Sequence, residues 1–132
     1  MRLTRRRDPF EIEKVSPARQ LVWLKANGIL GDDPRIHQCV VAYASDHHLM
    51  STPLLSHGIN FRDGSLSIMA SLDHSMWFYE PFRADEWLLY ELESPKLYGN
   101  RGLSFGRIYT QDGKLAVVVA QEGLIRLQES KL

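Results

Sequence analysis

Apolar and polar residues alternate in two short segments near the start of the chain. Segment 10–15 has Phe10 and Ile12 on alternate positions before the pattern breaks, and segment 20–26 has Leu21 and Trp23 on alternate positions. Asn27-Gly28 then supplies a turn signal. Because a period of two is typical of a strand that buries one face, both segments are predicted to be β-strands.

The spacing of apolar residues changes after Asp33-Pro34. The apolar positions now recur at roughly helical intervals, at Ile36, Val40, Tyr43, Ala44 and Met50. This spacing predicts a helix, which Asp33 can cap and Pro34 can begin. We expect the helix to run to about Met50. Since it is mostly apolar, other elements have to cover it.

The rest of the chain is predicted to form strands. Their segments are 65–77, 86–94, 102–111 and 114–127. Asp112-Gly113 is a tight-turn signal that we expect to close a hairpin. Two strands, one long helix and four further strands predict an α+β domain.

Composition narrows the class of protein. A chain of 132 residues has room for one domain with one core. Its 16 basic and 16 acidic residues cancel, which argues against a nucleic-acid binder because such proteins normally carry a net basic face. No apolar run approaches the roughly 20 residues of a membrane span. The single Cys39 excludes an internal disulfide and is expected to be a buried small residue.

Three polar residues lie in or beside apolar segments. Asp46 is in the predicted helix, Ser71 is in the predicted strand 65–77, and Gln121 follows the apolar run 117–119. A carboxylate along an apolar helix is costly unless it is paired or exposed. From the pattern alone, Asp46 is equally well a solvent-facing residue, Ser71 a serine bonded to backbone, and Gln121 the polar end of a strand.

The most specific pattern is the run Ala-Ser-Leu-Asp-His-Ser-Met-Trp-Phe at 70–78, with Pro81-Phe82 and Asp-Glu-Trp-Leu-Leu-Tyr at 85–90 behind it. Together with Ala-Tyr-Ala-Ser-Asp at 42–46, it resembles the type II acyl-CoA thioesterases, which include bacterial thioesterase II and the peroxisomal acyl-CoA thioesterases of eukaryotes. The resemblance implies a hotdog fold, in which a curled antiparallel sheet surrounds one long central helix.

The resemblance also implies how the chain is divided. Residues 9–127 would form a hotdog domain similar to the C-terminal half of a double-hotdog thioesterase. Residues 1–8 would be a basic N-terminal segment, and residues 128–132 a C-terminal tail.

The chemistry implied by the resemblance is hydrolysis of fatty acyl-CoA to a free fatty acid and CoA. Members of the family activate a water with an aspartate, a threonine or serine, and a glutamine, and the matching residues here are Asp46, Ser71 and Gln121. Asp46 would accept the proton of the water or orient it, Ser71 would hold the water, and Gln121 would bond to both water and Asp46. No cofactor and no metal is implied. Ser71 as a nucleophile is disfavoured, because an acyl-enzyme route needs an adjacent base.

Further polar residues are left with two interpretations. Asp73 and His74 are neighbours on a predicted strand, so their side chains should point to opposite faces. We expect both to be structural, with a place for His74 in the site as the alternative. Arg101 and Arg107 have guanidinium groups suited to CoA phosphates, but exposed surface arginines are the commoner explanation.

Members of the family contain two hotdog domains, and this chain resembles only the second. The resemblance therefore implies a fragment or a short form whose exposed sheet needs a partner, and a homodimer is the natural one. The alternative function is a non-catalytic hotdog half that binds acyl-CoA or supports oligomer assembly. A hydratase acting on enoyl-CoA is a weaker alternative, because Asp46 and His47 or His48 are too close along one helix to converge on a substrate.

The final residues are Ser130-Lys131-Leu132, the pattern of a peroxisomal address signal. A solvated polar tail is the alternative. Taken with the resemblance, the tripeptide predicts a peroxisomal protein that binds the peroxisomal import receptor.

Overall fold

A computed structural model describes residues 2–3, 15–60 and 64–128. The seven strands of its single sheet are β1 (Arg2–Leu3), β2 (Arg19–Leu24), β3 (Leu66–Ser71), β4 (Ser75–Phe78), β5 (Leu88–Tyr98), β6 (Arg101–Tyr109) and β7 (Leu115–Leu127). The helix α1 spans Pro34–Ser45, and a 3₁₀ helix spans Thr52–His57.

All strand pairs are antiparallel, in the order β1-β2-β5-β6-β7-β3. β4 also pairs with β7, so β3 and β4 occupy successive stretches of the same edge. The predicted α+β arrangement of an antiparallel sheet with one principal helix is confirmed.

The core lies between α1 and one face of the sheet. Val41 of α1 is 2% exposed and packs with fully buried residues from four strands, namely Val22, Tyr90, Ile108, Val117 and Val119. The predicted strand 114–127 is thus β7, whose Val117 and Val119 face this core while Val118 is partly exposed on the other face. In the part of the chain that is described, no helix is long and apolar enough to cross a membrane.

The helix is shorter than its predicted extent to Met50. It ends at Ser45, and His48 adopts a left-handed backbone conformation with φ of 65°. Leu49 is nevertheless fully buried. Residues 46–50 therefore form a turn, and Leu49 in this turn is buried as it would be if the helix had continued.

Two further predictions differ from the structure. Cys39 is exposed on α1, where we expected a buried thiol, because it lies on the side of the helix that faces away from the sheet. β1 pairs through its backbone with β2 although no strand was predicted there. The predicted strand 10–15 lies outside the described residues except for its last position, and the tail 130–132 lies outside them entirely.

The predicted strand 65–77 is divided into β3 and β4 by a break at residues 72–74. Within the break, the backbone N–H groups of Leu72 and Asp73 both donate to the Glu122 carbonyl oxygen, at 2.9 Å and 3.4 Å. The Asp73 carboxylate in turn accepts from the Glu122 N–H at 3.0 Å. The edge strand therefore stays attached to β7 where regular pairing stops, and the last residue of the break, His74, is freed from the alternation of a strand.

A charged cluster fixes the loop between β4 and β5 to the loop before α1. Arg83 donates to both carboxylate oxygens of Asp85, at 3.0 Å and 2.9 Å, and to Asp32 at 2.8 Å. The backbone N–H of Leu30 also donates to Asp85, at 2.9 Å. The Arg83 guanidinium, followed by the Leu30 N–H, lowers the pKa of Asp85 from 3.8 to about 2.

This lowered pKa predicts an acid-sensitive contribution to stability. Because the folded-state pKa lies below the unfolded-state value, ionised Asp85 stabilises the fold above about pH 4, and this contribution is lost as the pH falls towards 2. The difference in free energy of unfolding between the wild type and Asp85→Asn should therefore shrink over that interval in urea denaturation. Arg83→Met, which removes the partner and keeps the carboxyl group, should weaken the same dependence. A difference that is constant with pH would contradict the assignment.

Candidate active site

Asp46, Ser71 and Gln121 meet at the C-terminal end of α1. Gln121 lies within β7, Ser71 ends β3, and Asp46 is the C-cap residue of α1. The Gln121 Nε2 donates to Asp46 Oδ1 at 3.2 Å and, in a short contact, to Ser71 Oγ. The structure thus brings together three residues that are distant in sequence.

The three residues differ in exposure. Gln121 is 1% exposed, whereas Asp46 and Ser71 are exposed. A buried amide needs hydrogen-bond partners, and these two side chains provide them at its solvent side. The site is therefore an amide set in the sheet with a carboxylate and a hydroxyl at the surface, where a water and a ligand can reach them. Ser71 Oγ also lies 3.3 Å from Met50 Sδ.

His74 is the residue of this site that sequence reasoning left as structural. Its Nδ1 lies 3.1 Å from Gln121 Oε1, and its Nε2 lies 2.9 Å from Ser45 Oγ. The strand alternation expected for residues 73 and 74 does not apply, because both lie in the break. The one sequence feature that could have indicated a role for His74 in the site is its position inside the run 70–78, the most specific pattern of the chain.

Ser45 and Tyr90, which were also missed, hold the end of α1 in place. The buried Tyr90 hydroxyl donates to the Ser45 carbonyl oxygen at 2.7 Å. Burial, and secondarily the negative charge of Asp46, raise the pKa of Tyr90 well above its usual range, so the hydroxyl remains a donor. Gly106 on β6 makes room for this ring, since a Cβ there would lie 2.7 Å from the Tyr90 oxygen.

The two arginines considered for CoA phosphates are engaged with acidic side chains. Arg101 lies 3.4 Å from Glu122, and Arg107 lies 3.1 Å from Glu93. Both pairs are partly exposed. Among the described residues, no three histidine, cysteine or acidic side chains are grouped as metal ligands.

The fold and its solved relatives define the chain as a hotdog-fold protein of the thioesterase type. A crystal structure of acyl-CoA thioesterase II from Mycobacterium marinum superimposes with a TM-score of 0.75 at 45% identity, over 84% of this chain and 42% of that one. A sequence profile of the acyl-CoA thioesterase family matches residues 2–124, and the chain belongs to this family. The predicted family and the predicted hotdog fold are both confirmed.

Curated relatives agree with this assignment. Acyl-coenzyme A thioesterase 8 of Mus musculus is 48% identical over 94% of this chain and 42% of its own length. The more distant peroxisomal acyl-coenzyme A thioester hydrolase 1 of Saccharomyces cerevisiae is 28% identical over 71% of this chain and 27% of its own length. The chain spans less than half the length of these relatives.

Proposed function

We propose that this chain hydrolyses fatty acyl-CoA thioesters to a free fatty acid and CoA, with Asp46, Ser71 and Gln121 activating the attacking water. The observation that carries the proposal is the buried Gln121 amide, whose nitrogen donates to both Asp46 and Ser71. A neutral amide can join a carboxylate and a hydroxyl without adding charge. This arrangement supports a water bound at the exposed side of both groups.

The reaction follows from the polarity of these groups. The Asp46 carboxylate accepts a proton from the water, while the Ser71 hydroxyl holds the water oxygen in line with the thioester carbonyl carbon. A C–O bond forms, the tetrahedral intermediate collapses, and the C–S bond breaks. The departing CoA thiolate takes up the proton held by Asp46, so the products are a carboxylic acid and CoA thiol.

Replacing Asp46 tests this role. Asp46→Asn keeps the shape of the side chain and an oxygen that accepts from Gln121, but it cannot take a proton from water. Release of CoA thiol from long-chain acyl-CoA should fall by about 100-fold or more. The fold should survive because Asp46 is exposed.

The matched control is Glu80→Gln, which removes an exposed carboxylate from the loop after β4 and should leave the rate unaltered. An equal rate in the wild type and Asp46→Asn would refute the role of Asp46. A folded wild type that binds acyl-CoA without hydrolysing it would favour the alternative, a non-catalytic hotdog half. The reason for considering this alternative is that the chain spans less than half the length of the thioesterases that it resembles.

We further propose that two copies of the chain pair as a homodimer along the edge formed by β3 and β4. Large apolar side chains are exposed at or beside this edge, namely Ile68, Leu72, Trp77, Phe78 and Tyr79. In the described residues β7 is the only strand paired with β3 or β4. An apolar sheet edge of this kind is a ready surface for another strand.

A charge on the edge tests the dimer. Ile68 is 42% exposed on β3, so Ile68→Lys should cost the single chain little and prevent two edges from meeting. Sedimentation velocity should show a dimer for the wild type and a monomer for Ile68→Lys. Ile29→Lys adds the same charge at a 91% exposed isoleucine in the loop before α1 and should remain dimeric. A monomeric wild type would overturn the proposal.

We also propose peroxisomal import through Ser130-Lys131-Leu132, which is supported by the tripeptide and by the similarity to the peroxisomal thioester hydrolase of Saccharomyces cerevisiae. A fluorescent protein fused ahead of the chain should collect in peroxisomes. Deleting the last three residues should leave it diffuse. The deletion should also abolish binding to the import receptor. An unchanged distribution after the deletion would exclude the tripeptide as the signal.

A further inference from the structure

The charge of Asp46 dictates which way the Gln121 amide faces. A carboxylate only accepts hydrogen bonds, so the amide nitrogen of Gln121 has to face Asp46, as the 3.2 Å contact has it. The amide oxygen then faces away, towards His74. An amide turned by 180° would set its oxygen against the carboxylate and withdraw its N–H groups from Ser71.

The amide orientation in turn sets the proton on His74. Gln121 Oε1 only accepts, so His74 Nδ1 at 3.1 Å has to carry a hydrogen. In the neutral ring, Nε2 is then an acceptor that faces Ser45 Oγ at 2.9 Å. In the charged ring, Nε2 donates to that oxygen, and the Ser45 hydroxyl donates to the Ala42 carbonyl at 2.8 Å. The Nδ1–H bond to Gln121 is present in both states.

These contacts form a closed cycle of hydrogen bonds. Ser45 and Asp46 are consecutive at the end of α1, and from them the bonds run through His74 to Gln121 and back to Asp46. The described hydrogen bonds give Gln121 Oε1 one donor, His74, and the side chain is 1% exposed. Without that donor, the buried amide oxygen would have no hydrogen-bond partner among the described residues, and the amide would be held from its nitrogen side alone.

We infer that His74, in its Nδ1–H form, is the positioning residue that holds the Gln121 amide with its nitrogen towards Asp46 and Ser71. The inference rests on the proposed function, since its effect on turnover acts through Gln121. The described hydrogen bonds of His74 go to Gln121 and Ser45, and to neither Asp46 nor Ser71, the two groups proposed to bind the water. Loss of His74 should therefore lower kcat and leave KM nearly unchanged.

Two conservative variants separate the ring nitrogens. His74→Asn sets an N–H near the place of Nδ1 and keeps the donor to Gln121, whereas His74→Gln reaches towards Ser45 and loses that donor. His74→Leu removes both bonds. Turnover of acyl-CoA should fall about 10-fold in His74→Gln and His74→Leu, the factor expected for one lost hydrogen bond to a buried group, and stay within about threefold in His74→Asn.

A second readout does not need activity. In ¹⁵N-labelled protein, the side-chain NH₂ of Gln121 should give two well-separated proton signals with slow solvent exchange in the wild type and in His74→Asn. In His74→Gln and His74→Leu, the signals should move towards each other and exchange faster. His57→Asn is the control, because it removes an exposed histidine whose ring contacts Ser56.

The two measurements keep this inference distinct from the proposed function. If the folded wild type does not hydrolyse acyl-CoA, the proposed function fails for this chain, and the Gln121 signals alone decide the role of His74. Loss of turnover in His74→Asn equal to that in His74→Leu would overturn the inference. So would a Gln121 signal that is the same in all four proteins.

Discussion

Burial of the Gln121 amide is the constraint on which this part of the molecule depends. The side chain sits in β7, in the middle of an apolar sheet, where each unpaired polar atom would be costly. Its partners come from the end of α1, the end of β3 and the break before β4. Satisfying one amide therefore fixes three segments that are far apart in sequence, and it brings a carboxylate and a hydroxyl to the surface at the same point.

Elements that rest on local patterns could be predicted from sequence, and those that rest on long-range contacts could not. The hairpin at Asp112-Gly113 and the apolar run of β7 follow from neighbouring residues alone. The end of α1 could not be predicted in this way, because Leu49 continues the apolar pattern of the helix although it lies in a turn, where it is buried. The break at 72–74 depends on a bond between Asp73 and Glu122, 49 residues apart, which no local periodicity records.

The candidate site shows the same division. Asp46, Ser71 and Gln121 were selected by resemblance, and their convergence is a property of the folded chain. The prediction for His74 assumed a continuous strand, in which its side chain and that of Asp73 point to opposite faces. The strand is broken at this point, and His74 contacts Gln121 and Ser45. Ser71 immediately precedes the break in the edge strand, and His74 is the last residue of the break. The proposed association along that edge and the proposed chemistry would therefore take place side by side, in a chain that spans less than half the length of its relatives.

Gly106 on β6 and Tyr90 on β5 restrict which residues can occupy each other's positions. A methyl group at this position would overlap the ring of Tyr90, whose hydroxyl anchors the Ser45 carbonyl. A lineage can therefore enlarge residue 106 only after residue 90 has become smaller, and the intermediate has already lost the anchor at the end of α1. Replacement of both residues should therefore pass through a variant in which the end of α1 is held less firmly. Among descendants of this chain, the glycine and the tyrosine should be inherited as a pair.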